Sequence, residues 1–535
     1  LDPMHLQAHW QPLMELGAWQ GPEAAMMAGL ALIAGAAGAA RWPHRPAAVI
    51  TRLLGVTIIP GVAAGHPATA EAGADILDAG GTAADAAVAM VLTSCAAETL
   101  FTGLGGGGFA IHYEAATGQT RCVDFFVAVP GLGGRPPGRG QPIEVVFVGQ
   151  AIPYEIGPPT VAVPGTPAGA WHLWQRWGRL PWPEVVAPGR AASLGSVFPT
   201  THADLLPLVS PAFHVADGIK VYSRADGSAL QGGDLIAHPA HPQAYDLLAA
   251  EPESFYRGAY AEAVLDALGD SSAMEARDLE SYAVIETRPQ RVGVHGFGVL
   301  ARGNDLDGVL DTMRAAAASM GGDPCRDPRA ARALVRCLRA PDRRSETTNL
   351  VAADAEGNVC AVTTSMGLGS GVWVPGFGVH LNSMLGEGEL VREGIAAGSR
   401  MGSMMSPMLA VDPSGRPIVA AGAAGGSRIR SALVQTMIKM LEHVPPQAAI
   451  EAPRLNAVPG AVRLEPGFSA QVTDALVEDG EQVVVADGLD PYFGGVSALS
   501  WLGGGADPRR DGQVELFLAA SLPAGPGPRS TDDDS

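Results

Sequence analysis

Glu346-Thr347-Thr348-Asn349-Leu350-Val351-Ala352-Ala353 runs into a turn at Asp354-Ala355-Glu356-Gly357-Asn358. It returns through Val359-Cys360-Ala361-Val362-Thr363-Thr364-Ser365. Two apolar runs of strand length around an Asp/Gly turn read as a β-hairpin. Two threonines head the first strand, and Thr363, Thr364 and Ser365 carry hydroxyls back along the second. A hydroxyl becomes a nucleophile only with a base beside it. A cut before Thr347 would free an α-amine that supplies that base from the same residue.

The same syntax recurs on both sides of this hairpin. Phe109–Tyr113 and Arg121–Phe125 flank Ala116-Thr117-Gly118, and Met408–Val411 and Pro417–Ala421 flank Asp412–Gly415. Ala498–Leu502 and Val514–Phe517, around Asp511-Gly512, read as a further hairpin. Ala-rich helices lie between them. One opens at His66-Pro67, runs through Leu77 and stops at Gly80-Gly81; Thr82 to Asp85 is a capping box that starts another, Ala83 to about Cys95. Apolar strands with helices between them indicate sheet covered by helices. Because hairpins lie on both sides of Thr347, the two halves are expected to share one fold.

A Gly-rich run, Gly103-Leu104-Gly105-Gly106-Gly107-Gly108, precedes the Phe109 strand. Phosphate cradles need a strand before the glycines and a helix after them, usually with a Lys. Here the order is helix, glycines, strand, and no Lys is near. The run reads as a crossing where backbones pass too closely for a Cβ.

Residues 128–345 read as mainly helical and loop-rich. Pro130–Gly140 and Ile152–Pro167 are Pro/Gly loops; Trp171–Trp177, Pro181–Leu194, Tyr245–Ala250 and Tyr260–Leu268 are helices. Arg329, Arg332, Arg336 and Arg339 fall on one helical face, read as solvated or internally paired.

Composition bounds the rest. With 47% apolar and 17% charged residues the chain is globular, and a formal charge of −20 argues against a nucleic-acid partner. Five scattered cysteines without a CxxC indicate free thiols, neither a disulfide framework nor a zinc site. No metal or cofactor is expected, and no stretch is long enough to span a membrane. Met26–Ala40 has the apolar, small-residue character of a signal-peptide core, yet no Lys or Arg precedes it, so cytoplasmic and secreted or periplasmic readings both stay open. Residues 1–60 are treated as an appendage and 523–535 as a disordered tail.

Two further stretches bear on chemistry. Ser403-Met404-Met405-Ser406-Pro407 adds hydroxyls ahead of a hairpin, and Ala423-Ala424-Gly425-Gly426-Ser427-Arg428 follows it and leads a helix, Ser427 to about Glu442. Two glycines at a helix start leave backbone N–H groups aimed at one point with the helix dipole behind them, an arrangement that holds an oxyanion. Nucleophile, hydroxyl partners and oxyanion donors together describe acyl transfer through a covalent ester.

In this order, the ensemble resembles the γ-glutamyltranspeptidase family of N-terminal-nucleophile hydrolases. The matching pieces are Ala68–Ala89, Leu104–Phe109, Thr347-Thr348 with Asp354–Asn358, Gly378–Asn382, Met405-Ser406-Pro407, Gly425–Arg428 and Glu451–Arg454. They span roughly residues 61–520. The resemblance implies an α+β fold, a four-layer αββα sandwich with a helical lobe from the N-terminal part. It implies a precursor that cuts itself at Glu346–Thr347 into a large subunit (61–346) and a small one (347–522), held as a heterodimer. It implies Thr347 as nucleophile and base, Ser365 as a supporting hydroxyl, Gly425 and Gly426 as the oxyanion pair, and Ser403 as a substrate contact. The implied substrate is a γ-glutamyl amide such as glutathione, the acyl group passing to water or an amino acid.

The departures fall in the head-group pocket. The family's Asp-Phe-Arg-Glu is Asp124-Phe125-Phe126-Val127 here, so the arginine that grips the α-carboxylate is Phe126. That removes a charge-assisted contact of about 1.5–3 kcal/mol. A His after the two threonines is Asn349, a substrate-binding Asn falls at Gly367 or in a two-residue deletion, and the second of two serines is Met404. An amide or acid after Gly378–Asn382 is Met384, and a nearby Asp is matched by Glu387. Arg135 and Arg139 are the candidates to replace the lost charge. Two alternatives therefore stand beside the γ-glutamyl reading: an acylase of the same superfamily acting on another acyl amide, cephalosporin-acylase-like, and a non-catalytic paralogue.

Overall fold

The computed structural model describes residues 57–147, 150–340, 347–388, 390 and 394–517. Residues 1–56 of the appendage, with Met26–Ala40, and Glu346 and the tail 523–535 lie outside the described residues.

In chain order the sheets are built from β1 (Gly61–Ala64), β2 (Gly107–Glu114) and β3 (Gln119–Phe125). Then come β4 (Ile285–Thr287), β5 (Gln290–Val294) and β6 (Phe297–Ala301). Beyond residue 346 follow β7 (Thr348–Ala353), β8 (Val359–Ser365), β9 (Met408–Val411) and β10 (Pro417–Ala424). The last are β11 (Gly495–Ser500), β12 (Gly503–Ala506) and β13 (Gln513–Leu516). A seven-stranded sheet has the order β13-β1-β7-β8-β2-β3-β4, and a six-stranded sheet β12-β11-β10-β9-β6-β5. Both sheets draw strands from both sides of Thr347.

The two sheets meet face to face, β7 and β8 against β10 and β1 and β7 against β11. Helices α1 (Pro67–Asp78) and α2 (Ala83–Ala97) pack on the first sheet. Helices α3 (Val309–Ser319) and α5 (Arg428–Leu441) pack on the second, and α4 (Pro328–Leu338) lies beside α3. The capping box forms as read: Thr82 N–H donates to Asp85 Oδ2 at 2.9 Å and Asp85 N–H to Thr82 Oγ1 at 3.2 Å. Every residue of α2 is buried, which its alanines permit because they let neighbouring backbones approach.

The glycine run is a crossing. A Cβ at Gly105 or Gly106 would collide with the carbonyl oxygens of His380 or Ser365, and one at Gly108 would stand 2.5 Å from that of Thr363. The arginine face of α4 is paired internally where partners are seen: Arg332 meets Asp479 at 2.7 Å and Arg339 meets Glu481. All five cysteines are free.

Three expectations need correction. Ala498–Leu502 and Val514–Phe517 do not form a hairpin. Instead β11 turns into β12 in the second sheet, while β13 crosses to the edge of the first and pairs with β1. Ile152–Pro167 is not all loop, since Gln150–Ile156 pairs with Gln141–Phe147. Its period is visible at the end, where Tyr154 and Ile156 are buried and Pro153 and Glu155 exposed. The region taken as helices and loops also contains β5 and β6, joined at His295-Gly296, where both φ angles are positive (48° and 88°) as a tight hairpin turn requires. Helices do fill Thr166–Trp177, Trp182–Leu194, His241–Ala250 and Ala259–Leu268. No helix among the described residues is long and apolar enough to cross a membrane.

Candidate active site

Strand alternation positions the threonines. Along β7, Leu350 and Ala352 join the core under α2, while Val351 and Ala353 lie between the sheets. Carried back to the strand head, this period puts Thr348 on the helix side and Asn349 and Thr347 on the inter-sheet side. The contacts agree. Thr348 Oγ1 donates to Glu98 Oε2 at 2.5 Å, and Glu98 Oε1 accepts from Thr69 at 2.8 Å. Asn349 donates to the Gly495 carbonyl at 3.1 Å and accepts from Ser497 N–H at 2.8 Å, tying β7 to β11 across the sheets.

The neighbouring strand follows the same rule. Thr348 pairs with Thr364 in the ladder, and Thr364 turns its hydroxyl to Thr102 Oγ1 at 3.0 Å, on the helix side. One step on, the alternation puts Ser365 on the inter-sheet side, as it does Thr347. Both are 1% exposed. Ser365 Oγ accepts from Gly367 N–H at 3.0 Å.

Thr347 lies on the wall between two cavities. One is lined by Thr347, Ser365, Ser403, Gly426 and the apolar side chains of Phe126, Met384, Leu390, Met404, Met405 and Ile429. Among the described residues no charged side chain lines it. The other is lined by Thr347, Thr348, Asn349, Glu98, Phe101, Asp507 and Arg510, with Gly65, Ala424 and Gly495–Ser497. Among the described residues Thr347 is the one common to both. Glu98 is 1% exposed and just follows α2; burial pushes its carboxyl up, against the pull of His66, Thr348, Thr69 and Arg510.

The loop after β10 spans the same divide, with Ala424 on the polar cavity and Gly426 on the apolar one. Gly425 (φ 120°) and Gly426 (φ 59°) both sit in the left-handed half of backbone space, and α5 begins two residues later. A Cβ at Gly425 would stand 3.0 Å from Gly494 Cα. Gly494 is itself fixed from below: Arg454 Nη1 donates to its carbonyl at 2.9 Å, and Arg454 Nη2 meets Asp507 at 2.6 Å. Arg509 bridges Asp507 at 3.1 Å and Glu465 at 2.5 Å. Burial works to raise the Asp507 carboxyl, but Arg454 and Arg509 outweigh it and hold it below the usual range. The Glu451–Arg454 motif thus supports the glycine turn through Arg454.

The remaining expected residues divide. Phe126 reaches the apolar cavity, its N–H donating to Asp124 Oδ1 at 2.9 Å, its carbonyl accepting from Tyr282 OH at 2.7 Å, and its ring against Phe109 at 5.3 Å. Ser403 lines the cavity while its Oγ accepts from Met405 N–H at 3.1 Å. Glu387 does not line it: the carboxylate accepts from Leu368 N–H at 3.0 Å, and a Cβ at Gly367 would strike it. Gly425 lies beside Gly426 without lining the apolar cavity. Arg135 pairs with Glu275 (3.3 Å) and Asp270 (3.7 Å), so it does not replace the charge lost at Phe126, and Arg139 lines neither cavity. Asn382 is a brace, donating to the carbonyls of Gly105 and Ala162, both at 2.8 Å. Among the described residues no group of three or more His, Cys, Asp or Glu is gathered to hold a metal ion.

Glu98 and Arg510 were not read from the sequence as site residues. The signal for Glu98 was present: no other Asp, Glu, Lys or Arg lies between Asp85 and Glu114. Arg510 carries no such mark and enters through tertiary packing alone.

A family model described as gamma-glutamyltranspeptidase matches residues 69–318 and 313–517. The chain is similar to the acylase ACY 1 proenzyme of Pseudomonas sp. (strain V22), 28% identical over 506 residues that cover 82% of this chain and 89% of that relative. It is similar to the glutathione hydrolase proenzyme of Bacillus subtilis (strain 168), 25% identical over 499 residues covering 78% and 84%. In fold it resembles the crystal structure of cephalosporin acylase from Bacillus halodurans, with a TM-score of 0.69 at 23% identity, covering 87% of this chain and 97% of that one.

Proposed function

The chain belongs to the gamma-glutamyltranspeptidase family, and on that premise we propose that it is a self-processing acyl-amide hydrolase and transferase with Thr347 as nucleophile. The observation that carries this reading is that Thr347, Ser365 and Gly426 line one cavity. In this reading the fold is the four-layer αββα sandwich of N-terminal-nucleophile hydrolases. The chain cuts itself before Thr347, and the fragments 61–346 and 347–522 stay together as a heterodimer.

The cycle follows from the groups present. Thr347 Oγ attacks the amide carbon while its proton passes to the freed α-amine of Thr347. The oxyanion forms against the N–H groups at Gly425 and Gly426. Collapse breaks the C–N bond, the amine leaves with the proton held by the α-ammonium, and the acyl group stays as an ester on Thr347. Water, or a second amine, attacks that ester and releases the acid or a new amide. Ser365 supports the hydroxyl of Thr347 from across the ladder.

γ-Glutamyl amides such as glutathione are the substrate class of the first reading. A second reading, an acylase for another acyl amide, is favoured by one specific observation: Phe126, Met384 and Met404 line the cavity of Thr347, and its lining among the described residues is apolar or neutral. Turnover of γ-glutamyl, adipyl and hexanoyl 4-nitroanilides separates the two. Preference for the γ-glutamyl compound supports the first reading, preference for either of the others supports the second, and absence of turnover on all three contradicts both.

A further inference from the structure

The first cut at Thr347 poses a problem of proton balance. In later turnovers the α-amine of Thr347 is the base, but that amine does not exist until the first bond is broken. The attacking Oγ must lose a proton and the leaving nitrogen must gain one by another route. Among the described residues, the polar cavity beside Thr347 holds two carboxylates, Glu98 and Asp507. Asp507 is engaged by Arg454, Arg509 and the Val496 N–H, and the two guanidiniums hold it below the usual range, which makes it a weak base. Glu98 accepts instead from neutral hydroxyls, Thr69 at 2.8 Å and Thr348, next to the nucleophile, at 2.5 Å. Burial pushes its carboxyl up, so it takes a proton more readily and can hold one in transit. Gly65 keeps the space over this pair open: a Cβ there would stand 3.2 Å from both Glu98 Oε2 and Thr348 Oγ1.

We propose that Glu98 carries the proton of the first cut, across the polar cavity that it shares with Thr347. The Thr347 Oγ proton passes to the Glu98 carboxylate through a water, for which the cavity has room, while Oγ bonds to the carbonyl carbon of Glu346. The C–N bond then breaks, and Glu98 returns the proton to the Thr347 nitrogen, which becomes the free amine. A second water hydrolyses the ester, giving the carboxylic acid of Glu346 and restoring the Thr347 hydroxyl. Glu98 ends as it began, and water is consumed once. The titratable groups facing Glu98 are His66 at the start of α1, Cys95 in α2 and Arg510, with Asp507 on the same cavity. His66 and Arg510 favour the carboxylate, and the Cys95 thiol, pushed up by burial, stays neutral. This assignment rests on the self-processing reading of Thr347 and adds the group that makes its first step possible.

The test follows scission of the full chain, pulse-labelled in cell-free translation and then held at a series of values between about pH 5 and pH 8. The wild-type rate is expected to fall about tenfold per pH unit on the acid side of the Glu98 ionisation. Glu98→Gln, which keeps the shape of the side chain, is expected to be cut at least about 100-fold more slowly, with that pH dependence gone. A merely structural Glu98 would slow the cut equally at every pH and leave the profile in place. That result overturns the inference, as does a Glu98→Gln chain cut at the wild-type rate, and both leave the Thr347 reading standing. A wild-type chain never cut before Thr347 overturns the self-processing reading and this inference with it. If Glu98→Gln does not fold, the wild-type profile decides: a fall of about tenfold per unit supports the inference, and a flat rate over the same range overturns it.

Discussion

Thr347 and Ser365, both buried, line one cavity just beyond the Thr348–Thr364 pair that ends the ladder. That shared lining sets the two hydroxyls on one small space. Ser365→Ala should lower kcat by about 10²-fold, with KM little changed and scission still detectable. Initial rates on the preferred anilide check this. A kcat within about twofold of wild type would remove Ser365 from the reaction.

The oxyanion turn is the next point of leverage. Gly425→Ala forces a side chain into a φ of 120° and to within 3.0 Å of Gly494 Cα. Shifting the N–H groups off the developing oxyanion should cost about 10²–10³ in kcat. The measurement is single-turnover acylation, and an unchanged acylation rate would show that the oxyanion sits elsewhere.

Arg454→Met tests the support beneath that turn. It strips Asp507 of one guanidinium and the Gly494 carbonyl of its donor in a fully buried setting. Breaking a buried pair from one side costs about 3–5 kcal/mol. Urea unfolding reads this directly; a loss under about 1 kcal/mol would mean the network is not under load.

Stability should fall on mild acidification because of buried neutral histidines. His112, stacked on Trp177 at 4.3 Å, has its pKa lowered from 6.5 to about 3 by burial and by nearby Arg176. His380, accepting from Gly371 N–H at 2.8 Å, is likewise lowered to about 3 by burial. The unfolded chain binds a proton below pH 6.5 that the folded chain refuses, so their contribution is present above that pH and lost progressively as pH falls toward 3. Each such histidine is worth about 2 kcal/mol between pH 7 and pH 5. His112→Phe should recover about that much of the loss, measured as unfolding free energy at the two pH values. An unchanged pH slope would contradict a neutral buried His112.

Much of this was legible from local pattern, and the rest lay in contacts distant in sequence. The Thr347 hairpin, the capping box at Thr82 and the glycine crossing follow from period and turn chemistry, and the structure places them where those rules put them. Thr347, Ser365, Ser403, Met404, Phe126 and Gly426 converge on one cavity. Glu387 does not, because the loop at Gly367 claims its carboxylate. The Asp511-Gly512 turn was misread because it joins strands of different sheets, a choice made by tertiary packing that leaves no mark on the period. β5 and β6 were missed inside a region dominated by helices. Arg510 could be placed beside Thr347 only in three dimensions.

The central claim is that Thr347 is made into the nucleophile by a cut at its own amine. Intact-mass analysis of the purified protein, with N-terminal sequencing of its fragments, tests it most directly. The account predicts two fragments in the wild type, the smaller beginning at Thr347, and a single uncut, inactive chain in Thr347→Ala. An uncut wild-type chain that still turns over anilides, or a Thr347→Ala chain that is still cut at residue 347, would contradict it.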